Sequence, residues 1–297
     1  MHRRTFIKSA LAAGSVLPLL PSALFTTPSP PEAVWVENGE PEALLAAALR
    51  EMGGMSAFIK KGDTVVIKPN MGWDRAPQYA ANTNPLLIAA LIKECYNAGA
   101  KKVRIFDRTC NNPRRCYRNS GIEEIASDAG AEVDQIRQNR FSEIDLKNGR
   151  ILKRWEVYED YLNADKIINV PIAKHHSLSR VSLGMKNLMG VLGGNRGLIH
   201  SDFDTKIVDI TGTILPQLTI IDAYRILTGN GPVGGNLADV SLKKTLIMST
   251  CLVTADVLAL QLFGLSVDKV GHLKEAVNRG LNKFDPEHVN LKTVRLA

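Results

Sequence analysis

Residues 63–70, DTVVIKPN, with 84–100, NPLLIAALIKECYNAGA, and 101–108, KKVRIFDR, decide the fold. The first is a short apolar run rich in valine and isoleucine, stopped by a proline, and reads as a buried strand. The second places apolar residues at helical spacing, with Asn84 as N-cap, Pro85 in the first turn and Gly99 as the stop. The third is another strand. Two strands bridged by a helix of this length make a βαβ unit, and its right-handed crossover makes the strands parallel.

Outward from this unit the alternation continues. Residues 41–52, PEALLAAALREM, predict a helix, and Gly121 to Ala129 predicts another short one. Residues 165–171, DKIINVP, predict a strand. A helical or turn-like region spans Leu183 to Leu192, and Lys206 to Leu215 predicts a helix. Residues 218–223 (LTIIDA) and 244–250 (KTLIMST) predict strands, and 254–264 and 268–280 predict helices. The expected fold is α/β, a mostly parallel central sheet flanked by helices, and no repeat or second low-complexity break forces a division within it.

The N-terminus reads differently. Arg3 and Arg4 are followed by Phe6, Lys8 and a short apolar run broken by Pro18 and Pro21, the pattern of a twin-arginine export signal. The run from Ala10 to Phe25 is short for a membrane span, which needs about 20 residues, so membrane attachment is expected only if the signal stays uncleaved. The predicted organisation is a signal over residues 1–25, a proline-rich linker over 26–40 and one α/β domain over 41–297. Such a signal implies recognition by the twin-arginine translocase, a periplasmic or otherwise exported location, and a chain that crosses the membrane folded.

With 45% hydrophobic and 23% charged residues, the composition is that of a globular chain with a full core. The net charge is +7, but Arg3, Arg4 and Lys8 lie in the signal, and the remaining excess of 4 is too mild and scattered to argue for nucleic acid. Of four cysteines, only Cys110 and Cys116 are close in sequence. Their spacing fits neither a usual zinc site nor an iron-sulfur run, and leaves a loop-closing disulfide or two free thiols. Cys95, on a helix face, and Cys251, ending a strand, read as core residues.

Ligands of open α/β sheets bind beyond the carboxyl ends of the strands. Lys68 and Asn70 end the first strand, Asp107 the second, Lys174, His175 and His176 the next, and Asp222 the one after. Strand alternation turns Lys174 and His176 one way and His175 the other. Lys186 and Asn187 follow, among glycines 184, 190, 193, 194 and 197, so that glycine N–H groups beside lysines are expected to cradle an anion. The loop in 221–235, with Asn230, is a candidate binding loop. His175, His176 and His200, with Asp202 and an aspartate at a strand end, are the candidate metal ligands; no HExxH-type pattern fixes them. Neither a Walker A loop nor a dinucleotide fingerprint is present.

In this order the blocks VVIKPN, TNPLLIAALIKECYNAGAKKVRIFD, ADKIINVPIAKHH with LGMKNLMGVL, and IIDAYRILTGNGPVGG resemble the DUF362 family, from about Lys60 to Leu281. By that resemblance Lys68, Asn70, Lys174, His176, Lys186, Asn187 and Gly190 match the family pattern, with no catalytic role attached. Some members carry appended iron-sulfur ferredoxin segments. The absence of a cysteine-rich block here removes that cofactor, and a metal ion remains the candidate. The layout is loosely similar to the nickel-pincer lactate racemases, an analogy of fold only. The reading is a pocket for a small anionic ligand or a cofactor. In it Lys174, His176 and Asp107 are candidates for catalysis, His176 as acid–base group or metal ligand, and Lys68, Asn70, Lys186, Asn187, Gly190, Asp222 and Asn230 for binding. The alternative is a non-catalytic periplasmic binding or maturation protein.

Overall fold

The computed structural model describes residues 30–297, so the twin-arginine signal, expected over residues 1–25, lies outside the described residues. The linker expected to reach residue 40 ends earlier. Ala33–Glu37 is a strand, β1, inside the main sheet, with Ala33, Val34 and Val36 fully buried. The segment AVWVE is too short to show a period, but its two valines and tryptophan suit a pleated surface.

Helix α1 (Pro41–Glu51) follows, then β2 (Thr64–Pro69), α2 (Pro85–Asn97) and β3 (Lys102–Ile105), the predicted βαβ unit. The Asn84 side chain accepts the Leu86 N–H at 3.0 Å, and Gly99 leaves the helix at φ +96°, which a side chain would resist. β2 and β3 pair in parallel, Val65 opposite Val103.

Helices α3 (Pro113–Asn119) and α4 (Ile122–Asp128) lead to a short strand, β4 (Glu132–Val133). A separate antiparallel hairpin comes next, β5 (Phe141–Asp145) and β6 (Arg154–Tyr158), then α5 (Glu159–Leu162) and β7 (Lys166–Val170). Pro171 ends β7, and the chain resumes as β8 (Ile172–His176), β9 (Arg180–Ser182) and the short α6 (Gly184–Asn187). The helix expected over Lys206 to Leu215 is α7, Phe203–Thr211. It starts earlier, at the buried Phe203, and stops at Gly212 before Pro216. Strands β10 (Leu218–Leu227) and β11 (Val240–Ser249) are each longer than predicted, and α8 (Leu252–Ala259), α9 (Gly271–Asn278) and β12 (Leu291–Arg295) complete the chain.

The sheet order is β12-β1-β11-β10-β7-β2-β3-β4, with β8 joined to β10 and β9 to β8. The pairs from β10 through β4 are parallel, as is β1 with β12; β11 runs antiparallel to both its neighbours. The fold is therefore the expected mostly parallel α/β sheet. Its pleat sends Val65 and Ile67 into the core beneath α1 and α2, and Val66 into the core beneath α7, α8 and α9. Both faces are thus covered, which is why the central strands read as continuous apolar runs. Among the described residues no helix is long and apolar enough to cross a membrane.

Candidate functional site

The carboxyl ends of β2, β3 and β8 meet α6 at a polar floor. Lys68 is fully buried, and its Nζ lies 3.0 Å from Asp107 Oδ1, 3.2 Å from Asn187 Oδ1 and 2.5 Å from the Pro69 carbonyl. All three N–H bonds are taken. Burial lowers the Lys68 pKa, and the charge of Asp107 acts against that shift. The other oxygen of Asp107 accepts the Met71 N–H at 2.7 Å. Lys68, a candidate for holding a ligand, lies beneath the site as a fully buried cation paired with Asp107 and outside the cavity lining.

Asn187 ties this floor together. Its Oδ1 also accepts Asn70 Nδ2 at 3.1 Å, and its Nδ2 donates to the Lys68 carbonyl and to Asn169 Oδ1 at 3.0 and 2.8 Å. Asn70 Oδ1 in turn accepts Lys174 Nζ at 3.2 Å. One continuous network therefore joins Asn70, Asn187 and both lysines, and each bond in it helps to hold the others in place.

Above this floor opens a cavity of about 490 Å³, a size that suits a small organic molecule. Its walls carry four cationic side chains, Lys174, Lys186, Arg108 and Arg196. Asp107, already paired with Lys68, is the one carboxylate among the lining residues. Among the described residues Lys186 Nζ has as its hydrogen-bond partner only the Met189 sulfur at 3.6 Å, and it sits 5.1 Å from the Phe203 ring centroid. Among the described residues no carboxylate lies within 4.0 Å of it. Burial lowers its pKa to about 8. Lys174 Nζ donates to the Ala81 carbonyl at 2.5 Å as well as to Asn70, and lies 5.8 Å from the Trp73 ring centroid. Burial lowers its pKa to about 7, with Lys186 adding like-charge repulsion.

The glycine amides do not form the expected cradle. The N–H groups of Gly184, Gly193, Gly194 and Gly197 donate to Asp256 Oδ1, the Glu156 carbonyl, Glu156 Oε2 and Asn195 Oδ1 respectively. Gly190 serves close packing: a Cβ there would stand 1.8 Å from Asp107 Oδ1 and 2.6 Å from Lys68 Cε. The positive field of the pocket comes from side chains.

The histidines divide as strand alternation predicts. His176 lines the cavity, while His175 turns away and accepts the Gly231 N–H on Nδ1 at 3.1 Å. His176 Nδ1 accepts the N–H groups of Leu178 and Ser179 at 3.1 and 3.4 Å, which leaves the proton of the neutral ring on Nε2. Burial, then the charges of Lys186 and Lys174, lower its pKa to about 3. With Nδ1 occupied and its pKa lowered, His176 is a neutral ring that presents Nε2–H as its donor. His200 lines the cavity, and burial lowers its pKa too. Among the described residues no three His, Cys, Asp or Glu side chains come together to hold a metal ion. The set of His175, His176 and His200 does not fit one, since His175 faces away and His176 offers a donor proton.

Two further candidates lie outside the cavity lining. Asp222 is buried in β10, where it accepts the N–H groups of Asn84 at 2.7 Å and Tyr224 at 3.1 Å, anchoring the start of α2. Burial raises its pKa to about 6. Asn230 caps its own loop, donating to Asp239 Oδ2 at 2.9 Å, and Pro232 of that loop reaches the cavity in its place. Cys110 and Cys116 are free; Cys110 lines the cavity and Cys116 is buried.

Arg108 and Arg196 escaped the sequence reading. Arg196 donates to the carbonyls of Arg108, Met189 and Thr109 at 2.8, 3.2 and 3.0 Å, and Arg108 to those of Leu192 and Gly194 at 2.8 and 3.0 Å. They stitch the loop after β3 to the loop after α6. Arg108 follows Asp107 at a strand end and Arg196 stands between glycines, a placement that marks both as wall residues. Trp73 and Met189, the apolar lining, gave no signal.

A curated relative is the thylakoid-associated protein of Synechocystis sp., 27% identical over 214 residues, which are 69% of this chain and 65% of that protein. The chain thus spans just under two thirds of that relative's length. Among solved structures, a protein from Thermotoga maritima is similar at TM-score 0.49 and 12% identity, over 76% of this chain and 60% of the other. The lactate racemase apoprotein of Thermoanaerobacterium thermosaccharolyticum is similar at TM-score 0.44 and 11% identity, over 73% and 54%. Likeness at that level carries no functional argument. The family described as a domain of unknown function, DUF362, matches residues 65–261. That span includes the floor network and every cationic side chain of the cavity wall, and the chain belongs to the DUF362 family.

Proposed function

We propose that the protein binds a small organic anion, a carboxylate or phosphate ester, in the cavity at the carboxyl edge of its sheet. The observation that carries this reading is Lys186, a cation on the wall with a thioether sulfur as its hydrogen-bond partner and no carboxylate beside it. A partly buried ammonium without an oxygen acceptor is costly, and a ligand oxygen would supply what it lacks. Lys174, Arg108 and Arg196 add to the field, His176 Nε2–H gives a neutral donor, and Trp73 and Met189 offer apolar contact for the ligand's carbon skeleton.

Isothermal titration of the purified chain with phosphate and with pyruvate, alongside Lys186→Met, tests this. A hydrogen bond to a charged group contributes about 1.5–3 kcal/mol, so the variant should bind roughly 10- to 150-fold more weakly. Equal affinity in the two proteins refutes the reading.

The site is proposed to work outside the cytoplasm. Arg3, Arg4 and the apolar run after them support export through the twin-arginine translocase, and the thylakoid-associated name of the Synechocystis relative fits a membrane-facing location. Replacing both arginines by lysine should leave the chain in the cytoplasm; unchanged export would remove this part of the proposal.

A further inference from the structure

We propose that Lys174 is a carbonyl-reactive amine: within the anion pocket its Nζ condenses with the aldehyde or keto group of a small anionic substrate to form an imine. The inference rests on the pocket being an anion site, because the anionic group is what brings the carbonyl to the amine.

The two buried lysines of the site differ in one respect. Lys68 Nζ has three acceptors, one of them a carboxylate, and no valence left for chemistry. Among the described residues Lys174 Nζ has two, Ala81 O at 2.5 Å and Asn70 Oδ1 at 3.2 Å. A neutral amine carries two N–H bonds and one lone pair. The two acceptors take both N–H bonds and leave the lone pair unengaged, on a side chain that lines the cavity. Asn70 cannot swing away, because its Nδ2 is held by Asn187 Oδ1 at 3.1 Å. The amine is therefore oriented before any ligand arrives, which is where much of the advantage of a bound nucleophile originates.

The surroundings favour the free amine. Trp73 covers one side, with its ring centroid 5.8 Å from Nζ, and among the described residues no carboxylate lies within 4.0 Å to hold the charge. Burial accordingly lowers the pKa to about 7, which leaves a large share unprotonated at neutral pH. His176, with its Nδ1 occupied by the Leu178 and Ser179 N–H groups, presents Nε2–H as a neutral donor for the carbonyl oxygen.

The step balances without a further reagent. The lone pair of Nζ attacks the carbonyl carbon, a C–N bond forms, and the π pair moves to oxygen. The two protons of the neutral amine pass to that oxygen, the C–O bond breaks and water leaves as the nitrogen pair closes the C=N bond. Amine and carbonyl thus give an imine and water, and one proton taken up from solvent gives the protonated imine, whose N–H is within reach of Ala81 O or Asn70 Oδ1.

The test is reductive trapping on the full chain. The protein is incubated with pyruvate and sodium cyanoborohydride, the intact mass is followed, and the modified residue is mapped by peptide mass spectrometry. The expected result is one reduced pyruvyl adduct per chain, on Lys174, absent in Lys174→Arg, and formed roughly tenfold or more slowly in Lys186→Met as the carboxylate loses its anchor. Peptide mapping in the native chain makes the assignment even if Lys174→Arg fails to fold. Titration with pyruvate and no reductant, run in parallel, separates two failures. Pyruvate bound at the site with no adduct, or adducts on Lys186 or surface lysines only, overturns the imine and leaves the anion pocket standing. Neither binding nor adduct overturns both.

Discussion

The Lys68–Asp107 pair beneath the cavity permits a quantitative prediction. Lys68 is fully buried and Asp107 4% exposed, and their charged atoms are 3.0 Å apart. In Asp107→Asn the carboxamide must satisfy two donors, Lys68 Nζ on one side and the Met71 N–H on the other. It has one oxygen, so whichever way it turns, its NH₂ group faces a donor. Removing one partner of a buried pair costs about 3–5 kcal/mol, because the remaining charge is left uncompensated. For a chain of this size, at about 2 °C per kcal/mol, the melting temperature should fall by roughly 6–10 °C at neutral pH.

The pH dependence supplies a second check. Burial already lowers the Lys68 pKa, and loss of Asp107 removes what opposes that shift. The unfolded chain then holds the proton to a higher pH than the folded one, so stability rises with pH, and the deficit should narrow as the pH is raised from neutral toward the ordinary lysine value of about 10.4. Differential scanning calorimetry across that range measures both effects. The double variant Lys68→Met with Asp107→Leu, which removes both charges, should recover much of the loss. A single variant melting within about 2 °C of the native protein at every pH would refute the assignment of a buried ion pair as the floor of the site.

Other consequences follow from the same geometry. Anion binding should be strongest below about pH 7 and weaken as Lys174 and Lys186, with pKa values of about 7 and about 8, lose their protons; pyruvate affinity that is flat from about pH 6 to pH 9 would contradict this. His176 should show a single neutral Nε2–H tautomer with no titration between about pH 5 and pH 8 in ¹⁵N NMR, and a midpoint near the usual 6.5 would remove its role as a neutral donor. Gly190→Ala, whose Cβ would meet Asp107 Oδ1 at 1.8 Å, should lose about 1–3 kcal/mol in urea unfolding.

Chemical identity along the chain carries much of this protein. The runs at 63–70, 84–100 and 101–108 fold as predicted, because a short β-branched segment and a capped amphipathic segment each have one compact solution. Strand alternation likewise separates His176 from His175 with no tertiary information. Elsewhere local pattern is not enough. β1 and the β5–β6 hairpin lack a period long enough to be read, and β1 becomes a strand because β11 and β12 lie on either side of it. Lys68 and Lys186 look alike in sequence, each a lysine with an asparagine one or two residues on. Only the fold brings Asp107 and Asn187 against the first and leaves the second facing a thioether sulfur. The glycine amides, Asp222 and Asn230 are spent on internal hydrogen bonds that join residues far apart in the chain as well as near ones. Which residues are polar, and at which edge of the sheet they gather, is set by sequence; which of them keep a free valence depends on partners that meet only when the chain has folded.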